Sequence, residues 1–370
     1  MHIVHTESSQ GWGGQEIRTL SEGAGMIARG HRVTLLCPPG ARIFAEAAVV
    51  NVPAIALPVG RKNVAGFSAM RAWLKNHHAD VINTHSSTDS WLAALACASM
   101  RAAPPIVRTR HISAAVPDNM ATRWLYRRAC SHIVTTGEKL REQLMRDNGI
   151  DAAMLTSVPT GIDVAIFAPG DRAGARLALD LPPNATIIGI VATLRSWKGH
   201  RFLIEAFARL RDAGIAADLQ LVIVGDGPQR TALEMLVRDM KLQDCVRMTG
   251  NQSQVAPWLH ALDVFCLPSY ANEGVPQALM QAMACALPVI STPVGSIGEI
   301  VDDEVSGLLI PPQNADALAA ALQRLTGDAM LRKRLGSAAR QVAVARFGRE
   351  IMLDRMENVF RNAIATQKRS

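Results

Sequence analysis

Short runs of apolar residues alternate along the chain with longer stretches in which apolar side chains recur every three or four positions. In the first half the runs predict strands at His2–Thr6, Arg32–Cys37, Asp80–Thr84, Ile106–Arg110 and Ser131–Thr136. A helix is predicted over Gly14–Arg29, stopped by Gly30. In the second half strands are predicted at Thr186–Ala192, Leu219–Val224, Val246–Thr249, Val264–Leu267, Pro288–Ser291 and Gly307–Ile310. Leu203, Ala206, Phe207 and Leu210 fall at i, i+3, i+4 and i+7, the stripe of a helix that buries one face. Strands that are apolar on both faces and separated by helices form parallel sheets covered on both sides.

The pattern runs twice. Turn formers cluster over Val158–Pro183, where PTGID, APGD and LPPN punctuate the chain. With about 150 residues per domain, 370 residues predict two doubly wound Rossmann-like α/β domains, 1–165 and 166–348. The helical stretch Arg349–Ala365 comes after the second domain is complete, and 349–370 is expected to return to the first domain. In sheets of this kind ligands bind outside the carboxyl ends of the strands, here in a central cleft faced by both domains.

The composition is that of a globular chain, with 49% hydrophobic and 19% charged residues, which excludes disorder. Aromatics make up only 4%, which argues against stacking on single-stranded nucleic acid, and no nucleic-acid partner is expected. The net charge is +7, and residues 1–165 carry most of it, with 17 basic against 12 acidic residues. That excess suits an anionic partner, either a phosphorylated substrate or an anionic membrane face, and equally suits a plain solvated surface. Arg123-Trp124-Leu125-Tyr126-Arg127-Arg128 repeats the choice: a membrane or acidic-acceptor contact, or core aromatics with a solvated basic face. The six cysteines contain no CxxC pair and read as buried free thiols rather than a zinc site. The first residues lack the basic and apolar regions of a signal peptide, and no run of about 20 apolar residues occurs, so a cytoplasmic protein is expected, with the inner membrane face as its place of work if it handles lipid.

Four loops carry candidate chemistry. Gly11-Trp12-Gly13-Gly14 follows the first strand and opens a helix; its glycines either let backbone approach an anion or simply make a tight turn. The GxGxxG fingerprint fails because Glu16 occupies the third glycine position. Thr193–Gly199 occupies the equivalent place in the second half. Arg195 and Lys198, three apart at a strand-to-helix turn, can converge on one phosphate, and two cations at a helix start are unfavourable unless an anion is near. Val224-Gly225-Asp226-Gly227-Pro228 is a further turn whose glycines either shape a nucleotide pocket or serve the turn alone. In Pro268–Leu279, Pro276 suits a first helical turn, leaving backbone N–H groups of Gly274, Val275, Gln277 and Ala278 for an anion. Glu273 would be repelled by a diphosphate, so it should meet sugar hydroxyls. Gln281, eight residues and about 12 Å further along the helix, would meet another part of an extended ligand. His111 ends one strand, as a cleft residue or a hydrogen-bonded loop residue, and His85 ends another as a weaker acceptor-side candidate. No Asp-x-Asp occurs, so no metal-bridged diphosphate and no metal or other cofactor is expected.

These segments, in this order, resemble the family 4 (group 1) retaining glycosyltransferases of GT-B fold. The resemblance rests on Gly13-Gly14, Pro159–Asp163, Arg195–Gly199, Gly225–Pro228, Glu273–Gln281 and Ala282–Ile290. It implies transfer of a sugar from a nucleoside diphosphate donor to an acceptor hydroxyl with retention, the leaving phosphate taking the acceptor proton on the same face. It further implies that His111, Arg195, Lys198 and Glu273 act at the reaction centre. Gly13, Gly14, Gly225, Gly274, Val275, Pro276, Gln277, Ala278 and Gln281 would bind the donor. The acceptor implied is a glycan or lipid-linked sugar of a bacterial surface polysaccharide or lipopolysaccharide. One position departs from the pattern: the second Glu of the family signature, which contacts ribose, is Gln281, and the amide replaces a charge-assisted bond with a neutral one. A sugar-nucleotide epimerase on the same scaffold, or a non-catalytic sugar-nucleotide binder, are the alternatives.

Overall fold

The computed structural model describes residues 1–112, 114–214, 218–271 and 273–367. They form two compact units, Met1–Gly161 with Arg349–Ser370, and Ile162–Gly348.

In the first unit seven parallel strands run β1 (His2–Thr6), β2 (Arg32–Cys37), β3 (Ala54–Ala56), β4 (Val81–Thr84), β5 (Ile106–Arg110), β6 (His132–Thr135) and β7 (Leu155–Ser157). Their order is β3-β2-β1-β4-β5-β6-β7, with Ile3 in register with Val33 on one side and Val81 on the other. The strands β3 and β7 were absent from the sequence expectation. Both are three residues long and lie at sheet edges, and β3 is not buried at any position, so neither leaves a strong apolar run. Separate apolar clusters fill the two faces. Leu20, Met26, Val33 and Leu35 lie in one, and Met70, Leu92, Ile133 and Leu144 in the other.

The first unit ends at Gly161 rather than at residue 165. The Ile162 N–H donates to Phe347 O at 2.8 Å, and Ile162 bridges Gly348, which ties both ends of the second unit together. Beyond Gly348 the helix Arg349–Gln367 packs on the first unit. Met352, Leu353, Met356, Val359 and Phe360 are buried in its core, each apolar side chain contributing about 1.5–3 kcal/mol. Arg29 at the end of the helix Gly14–Ala28 fastens it through Glu350 at 2.7 Å and Asp354 at 2.8 Å. The basic-aromatic stretch is the helix Met120–Trp124 continued by a π-helical turn, Leu125–Ala129. Leu125 and Tyr126 are buried, Trp124 stacks on Trp91, and Arg123 pairs with Asp118 at the surface.

The second unit holds six parallel strands, β8 (Thr186–Val191), β9 (Leu219–Val224), β10 (Val246–Gly250), β11 (Val264–Leu267), β12 (Val289–Ser291) and β13 (Leu308–Leu309), in the order β10-β9-β8-β11-β12-β13. The helix His200–Asp212 covers one face with Leu203, Ala206, Phe207 and Leu210, all buried. All six cysteines are free thiols. In both sheets the strand order reverses beside the first strand, between β1 and β4 and between β8 and β11. Loops leaving the carboxyl ends of those strands flank the crevice where such sheets take ligands.

Candidate functional site

In the second unit, the loops after β8 and β11 meet at this switch point. The Tyr270 N–H donates to Trp197 O at 2.8 Å, joining them. Gly199 makes the contact possible: its φ is +78°, and an added Cβ would collide with Pro268 O. From the end of β12, Thr292 Oγ1 donates to Ser269 O at 2.5 Å. Gly295, at φ +59°, lies against Glu273 O where no side chain fits.

So braced, the loops present one ion pair. Lys198 Nζ donates to Glu273 Oε1 at 2.7 Å, and Ser269 Oγ donates to the same oxygen at 2.6 Å. Glu273 is 4% exposed and Lys198 21%, so the carboxylate is covered while the ammonium reaches the surface. The two residues stand 75 positions apart. Lys198 is thus matched by Glu273 rather than converging with Arg195. Arg195 precedes the 3₁₀ turn Ser196–Lys198, is exposed, and lies over the Trp197 ring at 5.6 Å.

Next to this pair the helix Gln277–Ala284 begins. Pro276 caps it from one residue outside, not from within the first turn. First-turn amides such as that of Ala278 have no carbonyl four residues back in their own helix, and the helix dipole adds positive potential there. Gly274 and Gln277 are partly exposed, and Val275 and Pro276 are buried beneath them. Gln281, one turn further on, is also partly exposed. Gly225 follows β9, its N–H committed to Gly250 O at 2.9 Å, and with φ +140° an added Cβ would collide with Ala192 O, so this glycine has a structural duty.

In the first unit the structure joins two histidines that the sequence left separate, and adds a third. His85 follows β4 and His111 follows β5; His85 Nδ1 lies 2.9 Å from His111 Nε2. His5 on β1 continues the row, its Nδ1 2.9 Å from His85 Nε2. Beyond His5 stand Glu22, 4.0 Å from its Nε2, and Arg18, 3.7 Å from Glu22. Burial pushes the His5 imidazole down to about 3, and holds His85 and His111 well below the usual histidine range. Burial also raises the Glu22 carboxyl to about 7 against the pull of Arg18.

Glu7, directly after β1, was likewise missed. It is fully buried, accepts from Ser9 N at 2.8 Å and Gln15 Nε2 at 2.5 Å, and so holds both ends of the glycine loop. Burial, and then the neighbouring Asp89, push its carboxyl well above the usual range. A carboxylate placed directly after an apolar strand was the available signal. Gly13 has extended backbone at φ −171°, and an added Cβ would meet only Glu16 Oε2 at 3.7 Å, so nothing among the described residues requires glycine there. Gly14 is the first residue of the helix.

Two Rossmann-like units with matching switch points define the GT-B class of fold. A solved structure of Anabaena HepE in complex with UDP-glucose superposes with a TM-score of 0.86, at 19% identity over 98% of this chain and 100% of that one. The model of glycosyltransferase family 4 matches residues 12–166, and that of the group 1 glycosyl transferases matches residues 185–328. Among curated relatives, the D-inositol 3-phosphate glycosyltransferase of Actinosynnema mirum is 31% identical over 71% of this chain and 67% of its own length. That of Kribbella flavida is 28% identical over 78% of this chain and 72% of its own length. For several other relatives of that name the match spans about half of the relative. The chain belongs to the family 4 (group 1) glycosyltransferases. Among the described residues, no helix is long and apolar enough to cross a membrane.

Proposed function

We propose that this chain is a retaining glycosyltransferase that moves a sugar from a nucleoside diphosphate to an acceptor hydroxyl. The observation that carries the reading is the Lys198–Glu273 pair at the switch point of the second sheet, beside a helix start and Arg195. Arg195, Lys198 and the amides of Gly274–Ala278 would take the diphosphate and stabilise the charge that grows on it as the sugar–phosphate bond breaks. Glu273, its charge balanced by Lys198, would hold sugar hydroxyls, and Gln281 the ribose. The acceptor oxygen then bonds to the sugar carbon on the face the diphosphate leaves, and its proton passes to a departing phosphate oxygen. Cations and amides supply the positive field in this scheme, with no part given to a metal.

His111 would orient the sugar, with His85 on the acceptor side. Gly13 and Gly14 would bring backbone close to an anion. That the HepE structure holds UDP-glucose supports a uridine nucleotide among the donors to try. Relatives named for an inositol 3-phosphate, together with the basic excess of residues 1–165, support an acceptor bearing an anionic group. Assembly of a surface glycan or lipopolysaccharide on the cytoplasmic membrane face is the setting that fits such an acceptor.

The test is to incubate the protein with UDP-, GDP- and ADP-sugars, with and without candidate acceptors, and assay free nucleoside diphosphate and anomeric configuration. Acceptor-dependent diphosphate release with retained configuration is expected. A new sugar nucleotide without release would instead identify an epimerase, and binding without turnover a non-catalytic protein.

A further inference from the structure

The histidine row carries more information than its contacts alone. The strands β1, β4 and β5 lie side by side, and each contributes one ring: His5 within β1, His85 just beyond β4 and His111 just beyond β5. The line runs from the interior, where His5 is 1% and His85 3% exposed, to the carboxyl edge of the sheet, where His111 is partly exposed. Ring centroids are 5.2 Å apart at each step.

All three rings are neutral at physiological pH, because burial disfavours the imidazolium. A neutral ring has one N–H and one bare nitrogen. Two links of 2.9 Å therefore allow only two arrangements, in which every ring donates towards the interior or every ring donates towards the edge. The inner end decides between them. The Nε2 of His5 faces Glu22 Oε1, which already accepts from Asn83 Nδ2 at 3.1 Å, and Asn83 is oriented in turn by Thr109 Oγ1 donating to its Oδ1 at 2.8 Å. Arg18 lies against the other Glu22 oxygen, and Phe360 closes the side of His5 with an apolar ring edge. Above about pH 7, where Glu22 is ionised, its Oε1 at 4.0 Å favours an N–H on His5 Nε2 over a lone pair, while Arg18 on the other oxygen opposes it.

We propose that His5 and His85 are positioning residues that hold His111 as its Nε2–H tautomer, so that His111 presents Nδ1 as a hydrogen-bond acceptor to a sugar hydroxyl. The use of that acceptor rests on the glycosyl-transfer reading; the tautomer itself does not.

Long-range 1H–15N NMR of the uniformly labelled full-length protein at pH 8 reads the tautomer of each ring, with assignments from H5F, H85F and H111F. All three rings are expected as Nε2–H. A His111 or His85 protonated on Nδ1, or present as imidazolium, overturns the proposal, and this measurement needs no variant to be active. In H5F, folding checked by circular dichroism, His85 loses its acceptor and His111 should show both tautomers; an unchanged single tautomer would overturn the relay. Saturation with the donor that supports diphosphate release should move the His111 Nδ1 resonance while the proton stays on Nε2, and an unmoved resonance removes the sugar contact. Failure of every donor to release diphosphate would instead strike the transfer reading and leave the tautomer measurement unaffected.

Discussion

Replacing Lys198 by alanine removes a side-chain cation bonded to Glu273, and its consequences for stability and for catalysis can be separated. Breaking a fully buried pair by deleting one partner costs about 3–5 kcal/mol. Here Lys198 is 21% exposed and Ser269 continues to donate to the stranded carboxylate, so about 2 kcal/mol is expected. A domain with ordinary stability, about 5 kcal/mol or more, remains more than about 99% folded after such a loss. Unfolding therefore cannot account for the larger kinetic effect. Removing a preorganised donor from the charge that develops in the transition state costs about 100- to 1000-fold in turnover. The assay is nucleoside diphosphate release per folded molecule, with urea unfolding run on the same preparation. Turnover within a few-fold of wild type in folded K198A would refute the placing of a diphosphate against Lys198. So would a loss that tracks the unfolded fraction.

The other expectations are simpler. Gln281→Glu should tighten donor binding by about 1 kcal/mol, the gain from a charge-assisted over a neutral hydrogen bond, and isothermal calorimetry showing no gain with any nucleotide would take Gln281 out of the ribose site. Phe360→Ala, at a fully buried position of the last helix, should destabilise the first unit by about 3–5 kcal/mol in urea melts, and a change under 1 kcal/mol would mean that the helix is not part of that core. Thermal stability should peak near neutral pH. Above about pH 6.5 the native state still retains a proton on Glu22 until about pH 7 and on Glu7 until about pH 8 that the unfolded chain has lost, so stability falls as pH rises. Below about pH 6.5 the unfolded chain protonates histidines that stay neutral in the fold, His5 and His200 down to about 3, so stability falls as pH falls. A melting temperature still rising between pH 7 and 8 would contradict the buried carboxyls.

Most of the sheet framework was legible because central parallel strands are apolar on both faces. The runs at β1, β2, β8, β9 and β11 need no knowledge of what lies beside them. The edge strands β3 and β7 escaped because three residues with a single neighbour need little hydrophobicity. The loops of the second unit could be named but not paired. That Lys198 meets Glu273 depends on β8 and β11 being neighbours, which strand spacing along the chain does not reveal. The histidine row shows the same limit. His85 and His111 were visible as strand-end residues, while His5 looked like one more strand position until β1, β4 and β5 stood side by side. Chemistry within one loop is written locally; chemistry shared between strands is written in the topology.

The most direct test is a crystal structure of the full chain with a saturating nucleoside diphosphate. The account predicts its phosphates within hydrogen-bond reach of Arg195, Lys198 and the backbone amides between Gly274 and Ala278, with the ribose at Gln281. A diphosphate bound elsewhere on the second unit, with Lys198 still on Glu273 and the helix start bare, would contradict it.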